Sequence, residues 1–150
     1  MTNYLTPEGL AKFKRELYSL ESVERKEIAK SLKHAASFGD LSENAAYKEA
    51  KEAQAFLEGR ILKIRKIIAS ARMIERKETG RVEIGSTVIL SLNSGKETFQ
   101  IVDPEEVDIL KGKISYQSLL GKSLLGKIKK DKVIIEAPDG KIEYEIFEIK

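Results

Sequence analysis

The sequence has no cysteine, no tryptophan, a single histidine and no long apolar run. Without cysteine there is no disulfide, no thiolate metal ligand and no cysteine nucleophile. One histidine rules out a His-rich zinc site. No stretch approaches the roughly 20 consecutive apolar residues that a membrane helix needs. The N-terminal segment MTNYLTPEGLAKFKREL also lacks the uninterrupted apolar core of a leader peptide. The expectation is a cytoplasmic protein without a membrane partner.

What the chain does have is charge. Of its 150 residues, 34% are charged and 41% apolar, a mixture that suits long exposed helices better than one deep core. The length allows one ordinary domain or two small ones. Net charge is +3, unevenly spread: residues 1–76 carry 15 Lys/Arg against 11 Asp/Glu, whereas residues 77–150 carry 12 against 13. A mildly basic first half permits contact with nucleic acid but falls far short of a stand-alone DNA binder.

The first half predicts two long helices. Thr6-Pro7-Glu8 has a capping Thr, Pro at the first helical position and an acid in the first turn. Apolar residues follow at Leu10, Phe13, Leu17 and Leu20, and after a polar stretch the stripe resumes at Ile28, Leu32 and Ala35. A second stripe, Ala46, Ala50, Ala53, Leu57, Ile61, Ile64, Ile68 and Ala71, has coiled-coil spacing. Phe38-Gly39-Asp40 is the one clear break between them. Two helices of about 30 residues joined by a tight turn should fold back as an antiparallel hairpin reaching about 45 Å. Such stripes explain a rod and carry no chemistry.

Lys77-Glu78-Thr79-Gly80 predicts a linker over 77–80, separating a hairpin domain (1–76, tip at 38–44) from a second domain (81–150). There the period becomes strand-like: Ser86–Leu92 and Thr98–Val102 flank Asn93-Ser94-Gly95, and Val133–Glu136 and Ile142–Ile149 flank Pro138-Asp139-Gly140. Ser118–Leu125 between them predicts a short helix. The fold class is α+β, a coiled-coil hairpin followed by a small antiparallel sheet.

The informative place is the turn, Phe38-Gly39-Asp40-Leu41-Ser42-Glu43-Asn44. Asp40 followed three residues later by Glu43 has the look of a capping box, worth about 1 kcal/mol. The same two carboxylates on an exposed tip suit a hard cation. Mg²⁺ takes six oxygen ligands in octahedral geometry, so two carboxylates complete a site that another molecule supplies rather than build one alone. The two readings are compatible, because a capping carboxylate keeps free lone pairs.

At this point a resemblance enters. The segment Phe38–Gly59, FGDLSENAAYKEAKEAQAFLEG, resembles the signature of the Gre transcript-cleavage factors. The GDLSENA core followed by Gln54 and FLEGRI (Phe56–Ile61) is more like the GreA branch than the GreB branch. The opening YLTPEGLAKFKREL is similar to the start of that family. IGSTV (Ile84–Val88), Ile101–Asp108, KGKIS (Lys111–Ser115), LLGKSLLG (Leu119–Gly126) and PDGKIEYEI (Pro138–Ile146) resemble its C-terminal domain. The likeness is collinear over essentially the whole chain.

The resemblance implies an FKBP-like C-terminal domain that docks on the rim of the bacterial RNA polymerase secondary channel while the rod enters it. It implies a monomer that is no enzyme itself, binds no cofactor alone and stimulates the polymerase's own cleavage of a backtracked RNA 3′ end. Asp40 and Glu43 become the tip acids that help hold the second Mg²⁺ and orient a water, flanked by Ser42 and Asn44. Lys33, Lys48 and Lys51 become candidates for RNA phosphate contact, against the plainer reading of a solvated face with pairs such as Lys48–Glu52. Ser118, Leu119, Gly121 and Lys122 become candidates for docking. The chain departs from the pattern at Ser37, where many members carry Arg, and at Leu119, where Ser-Pro is usual. Phe38 is expected to pack within the hairpin. Two other functions stand beside this one: a channel-binding inhibitor without cleavage, and a prolyl isomerase using Phe99, Tyr116, Tyr144 and Phe147.

Overall fold

The computed structural model describes residues 2–40, 43–75, 79–93 and 95–150. Its contacts divide the chain into two compact units, Leu10–Ser70 and a unit joining Ala71–Lys150 to the residues up to Gly9.

The first unit is the helical hairpin. Pro7–Ser19 (α1) runs through a π-helical turn at Leu20–Glu24 into Arg25–Ala36 (α2), and the chain returns as Ala45–Ala69 (α3). At 25 residues, α3 spans about 38 Å. The π-turn has a cause in the sequence. The spacing of Leu10, Phe13, Leu17 and Leu20 would continue at positions 24, 27, 31 and 34, yet the apolar residues stand one later, at Ile28, Leu32 and Ala35. A π-turn takes up one extra residue and restores the stripe to the same face. Phe13 and Ala35 are buried, with the other stripe residues half-buried.

In α3 the seam differs from the expected one. The buried residues are Ala50, Leu57, Ile61, Ile64 and Ile67, with Tyr47, Gln54 and Ile68 half-buried, while Ala46 and Ala53 are exposed. Tyr47-Ala50-Gln54-Leu57-Ile61-Ile64 keeps the 3-4 alternation without a break, so the larger side chains of Tyr47 and Gln54 take the face expected of alanines. Ala71 lies beyond the helix, in a strand. Three arginine–glutamate pairs tie the helices together along the seam's margins: Arg25–Glu58 with two contacts of 2.8 Å, Arg60–Glu16 at 2.8 and 3.0 Å, and Arg65–Glu21 at 2.6 Å.

The second unit is built on a curled five-stranded sheet. Thr87–Leu92 (β3), Gly95–Val102 (β4), Lys113–Ser115 (β5), Lys132–Ala137 (β6) and Gly140–Ile149 (β7) lie in the order β5-β4-β3-β7-β6. Both expected hairpins form, β3 with β4 and β6 with β7. The sheet is mixed rather than antiparallel, since β5 runs parallel to β4. Three residues of β5 carry too short a pattern to announce a strand. Val82, Val88, Leu90, Ile101, Leu124, Val133 and Ile146 form the core, each contributing roughly 1.5–3 kcal/mol of burial. Leu124 comes from the short helix Leu119–Leu124 (α4), close to its expected place.

This unit also takes in both ends of the hairpin's sequence. Asn3–Leu5 (β1) and Ala71–Met73 (β2) pair in parallel. The Asp103 and Glu106 carboxylates fasten β1: Tyr4 N donates to Asp103 Oδ2 at 2.8 Å, and Thr6 donates its N–H and hydroxyl to Glu106 at 2.9 and 2.7 Å. Thr6 in turn accepts from Gly9 N at 3.0 Å, so it is the expected cap of α1. Packing therefore draws the unit boundaries at Gly9 and Ala71, inside the span 1–76 expected of the hairpin domain. Of the expected linker 77–80, Lys77 and Glu78 lie outside the described residues. Among the described residues no helix is long and apolar enough to cross a membrane.

Candidate functional site

The hairpin turn is built around Asn44. Its side chain accepts from Tyr47 N at 3.0 Å, which makes Asn44 the N-cap of α3. The other end of the same carboxamide donates back to Ala35 O at 2.6 Å and Gly39 O at 3.4 Å. One side chain thus starts one helix and satisfies the open carbonyl end of the other. Gly39 supplies the left-handed backbone that reverses the chain, with φ of +79°.

Asp40 and Glu43 lie ahead of that cap. Both are exposed, and Glu43 N donates to Asp40 O at 3.3 Å across the turn. The expected capping box is therefore corrected: the helix begins at Ala45, so the cap falls to Asn44 and neither acid fills that role. Ser42 lies outside the described residues. Two carboxylate side chains are the hard oxygen donors that Mg²⁺ takes, and they are too few to enclose it. Among the described residues no group of three or more His, Cys, Asp or Glu could hold a metal by itself. The donor set fits a shared ion.

The basic candidates flank the turn on both helices. Lys33, Lys48 and Lys51 are all exposed. Lys51 Nζ lies 3.5 Å from Gln54 Oε1 and 5.8 Å from the centre of the Tyr47 ring, contacts that hold it along α3. The Lys48–Glu52 pair expected of a solvated face does not form among the described residues. Phe38 does not pack within the hairpin as expected. It is 67% exposed, and its ring stands edge-to-face with the His34 ring at 5.0 Å between centres. His34 precedes it by four residues, one helical turn back, so the contact stays on a single face.

In the sheet unit the four candidate docking residues cluster at α4. Ser118 caps it, accepting from Gly121 N at 3.0 Å and donating to Ser115 O at 2.6 Å. Leu119 is 61% exposed, Lys122 is exposed, and Gly121 is buried against the Ser115 carbonyl, where a Cβ has no room. The aromatics of the isomerase reading are spent on packing: Phe99, Tyr116 and Tyr144 lie against the core, and Phe147 sits beneath Lys96 Nζ at 3.6 Å.

Comparison with known proteins decides the family. Residues 3–73 match the family described as transcription elongation factor, N-terminal, and residues 77–150 match transcription elongation factor GreA/GreB, C-terminal. The chain belongs to the GreA/GreB transcription elongation factors. It is 45% identical to transcription elongation factor GreA of Shouchella clausii over 99% of this chain and 96% of that one. It is 46% identical to GreA of Amoebophilus asiaticus over 98% and 96%. Among solved structures, the GreA factor homolog 1 (Gfh1) of Thermus thermophilus is 28% identical, with full coverage of this chain, 99% of the other and a TM-score of 0.46. As in the resemblance that first suggested it, both halves of this Gre chain match the family in order.

The cap is what reading the sequence missed. Asn44 follows Asp40 and Ser42, two residue types that cap helices as well as asparagine does, and the Asp40–Glu43 spacing drew the cap to Asp40. The signal available was the place of Asn44 immediately before the unbroken helical run that begins at Ala45.

Proposed function

We propose that this chain binds bacterial RNA polymerase through its secondary channel and stimulates cleavage of the 3′ end of backtracked RNA. The observation that carries the reading is the pair Asp40 and Glu43, both exposed at the turn of a Gre-family hairpin whose helix is capped by Asn44 instead. In the polymerase site these two side chains would help hold a second Mg²⁺, which when bound would acidify an attacking water and neutralise charge on the phosphodiester. The carboxylates also accept hydrogen bonds from that water and so orient it. Asn44 keeps the turn in shape. Lys33, Lys48 and Lys51, exposed on the helices beside the turn, would contact RNA phosphates, and the α4 region with Ser118, Leu119, Gly121 and Lys122 would serve the docking surface. The nuclease remains the polymerase's own, and the factor acts as a monomer.

The test is a stalled, backtracked elongation complex made from purified components. The wild-type chain should release short 3′ RNA fragments. Asp40→Asn and Glu43→Gln should each abolish the release while still competing with wild type for polymerase. Cleavage that survives both changes removes the metal role. A wild-type chain that binds and inhibits without cleavage leaves a channel blocker in its place.

A further inference from the structure

In the sheet unit, positive charge gathers between α4 and β6. Lys122, Lys127, Lys129 and Lys130 are all exposed there. Arg81 lies alongside, bridged antiparallel to Ile128 and donating from Nη1 to Gly126 O at 3.1 Å. This stands out in a half-chain where acids outnumber bases by one. The acid inside the stretch, Asp131, is half-buried, and its Oδ2 accepts from Ile128 N at 2.9 Å. Its carboxylate shapes the turn.

Several other cations of this unit have partners. Lys132 meets Glu143 at 3.7 Å, Lys141 meets Glu136 and Lys111 meets Asp108, both at 4.0 Å, and Lys96 covers Phe147. Among the described residues, Lys122, Lys127, Lys129 and Lys130 pair with no carboxylate. Lys130 adds an independent sign. Its φ is +77°, a left-handed conformation that glycine adopts freely and that a lysine side chain makes unfavourable. Backbone bonds hold it there, with Lys130 N donating to Ile146 O at 2.8 Å. The other non-glycine residue with positive φ among the described ones is Asn93, a type that tolerates it. A strained lysine kept where glycine fits points to a use for its charge.

We propose that this lysine turn binds the phosphate backbone of duplex DNA without reading its sequence. Clustered lysines supply the charge that phosphate neutralisation requires. Duplex is favoured over single strand because residues 117–143 contain no aromatic side chain, and single-strand binding relies on aromatic stacking. The tip takes no part in this inference, and its variants fall at Lys127, Lys129 and Lys130, outside the α4 residues of the proposed docking surface.

The test is fluorescence anisotropy of the full chain with a short labelled DNA duplex across a salt series. Binding should weaken steeply with salt, and each lysine removed by Lys127→Gln or Lys129→Gln should make the log–log slope shallower by about 1. Lys130→Gly is the sharper variant: it should weaken duplex binding while raising the melting temperature, a combination that damage to the fold does not produce. Unchanged duplex affinity in the Lys127→Gln/Lys129→Gln/Lys130→Gly chain overturns the proposal. So does single-stranded RNA bound as tightly and with the same lysine dependence. A third overturning result is loss of polymerase binding with duplex affinity intact, which makes the turn a protein contact.

Discussion

Asn44 and Ala35 are joined across the hairpin turn by a hydrogen bond of 2.6 Å, from the carboxamide of one to the carbonyl of the other. Because the same carboxamide also caps α3, a single residue fixes where one helix stops and the next begins. The position of Asp40 and Glu43 depends on that bond, although neither acid takes part in it.

Asn44→Ala should therefore affect both stability and function. Losing the cap and the shorter of the two hydrogen bonds to the Ala35 carbonyl, which Phe38 N also reaches at 3.2 Å, should cost about 1–2 kcal/mol, read by denaturant unfolding. Stimulated cleavage should fall although both acids remain. Asn44→Asp separates the two bonds, since it still accepts from Tyr47 N but has nothing to donate to Ala35. Its stability should lie between the other two. An Asn44→Asp chain no more stable than Asn44→Ala would show that repulsion between the new carboxylate and the Ala35 carbonyl offsets the cap.

Two glycines should respond in opposite directions. Gly59 lies mid-helix in α3 with open space around its missing Cβ, so Gly59→Ala should stabilise by about 0.5–1 kcal/mol by restricting the unfolded chain. Gly121 is packed against the Ser115 carbonyl, and Gly121→Ala should destabilise by about 1–3 kcal/mol through overpacking. Thermal melts of the two variants check both signs.

How far the sequence foretold these features depends on the range of the interactions. The hairpin was legible because Phe13, Leu17, Leu57, Ile61 and Ile64 repeat at helical spacing, a signal contained within each helix. The two β-hairpins were legible because Gly95 and Gly140 mark their turns. β1, β2 and β5 were not: each has three residues, and β1 is held by Asp103 and Glu106, about a hundred positions away. The candidate site was half legible. Residue type and the family pattern picked out Asp40 and Glu43, but the Asp-x-x-Glu spacing suggested a capping box that Asn44 preempts. A local pattern cannot rank two neighbouring caps without knowing where the helix starts.

The Arg25–Glu58 pair predicts an acid-limb effect of known sign. Hydrogen bonding to Arg25 holds the Glu58 carboxyl below the usual glutamate range, with partial burial opposing it. A folded-state value below the unfolded one means the stabilisation is present above the unfolded glutamate value and disappears as pH falls through the depressed folded one. Glu58→Gln should therefore be less stable than the parent near neutrality, and the two stability curves should converge on acidification. Added salt should narrow the gap as well, because the pair is exposed. A gap that stays constant from neutral to acid pH would assign the loss to packing instead.

The π-turn makes the most specific demand on the hairpin. If Leu20–Glu24 absorbs one surplus residue, deleting Ser22 should turn it into ordinary α-helix while Leu10–Leu20 and Ile28–Ala35 stay on the seam. Four α-helical residues rise about as far as five π-helical ones, so the cross-helix pairs at Glu16, Glu21 and Arg25 keep their levels. The melting temperature should move by less than about 4 °C, the shift roughly 1 kcal/mol gives in a chain of this size. Deleting Ala55 from α3 is the control. The spacing there is unbroken, so the loss rotates every seam residue on one side by about 100° and should unfold the hairpin. If the Ser22 deletion is as damaging as the Ala55 deletion, the π-turn has a use of its own and the surplus-residue account fails.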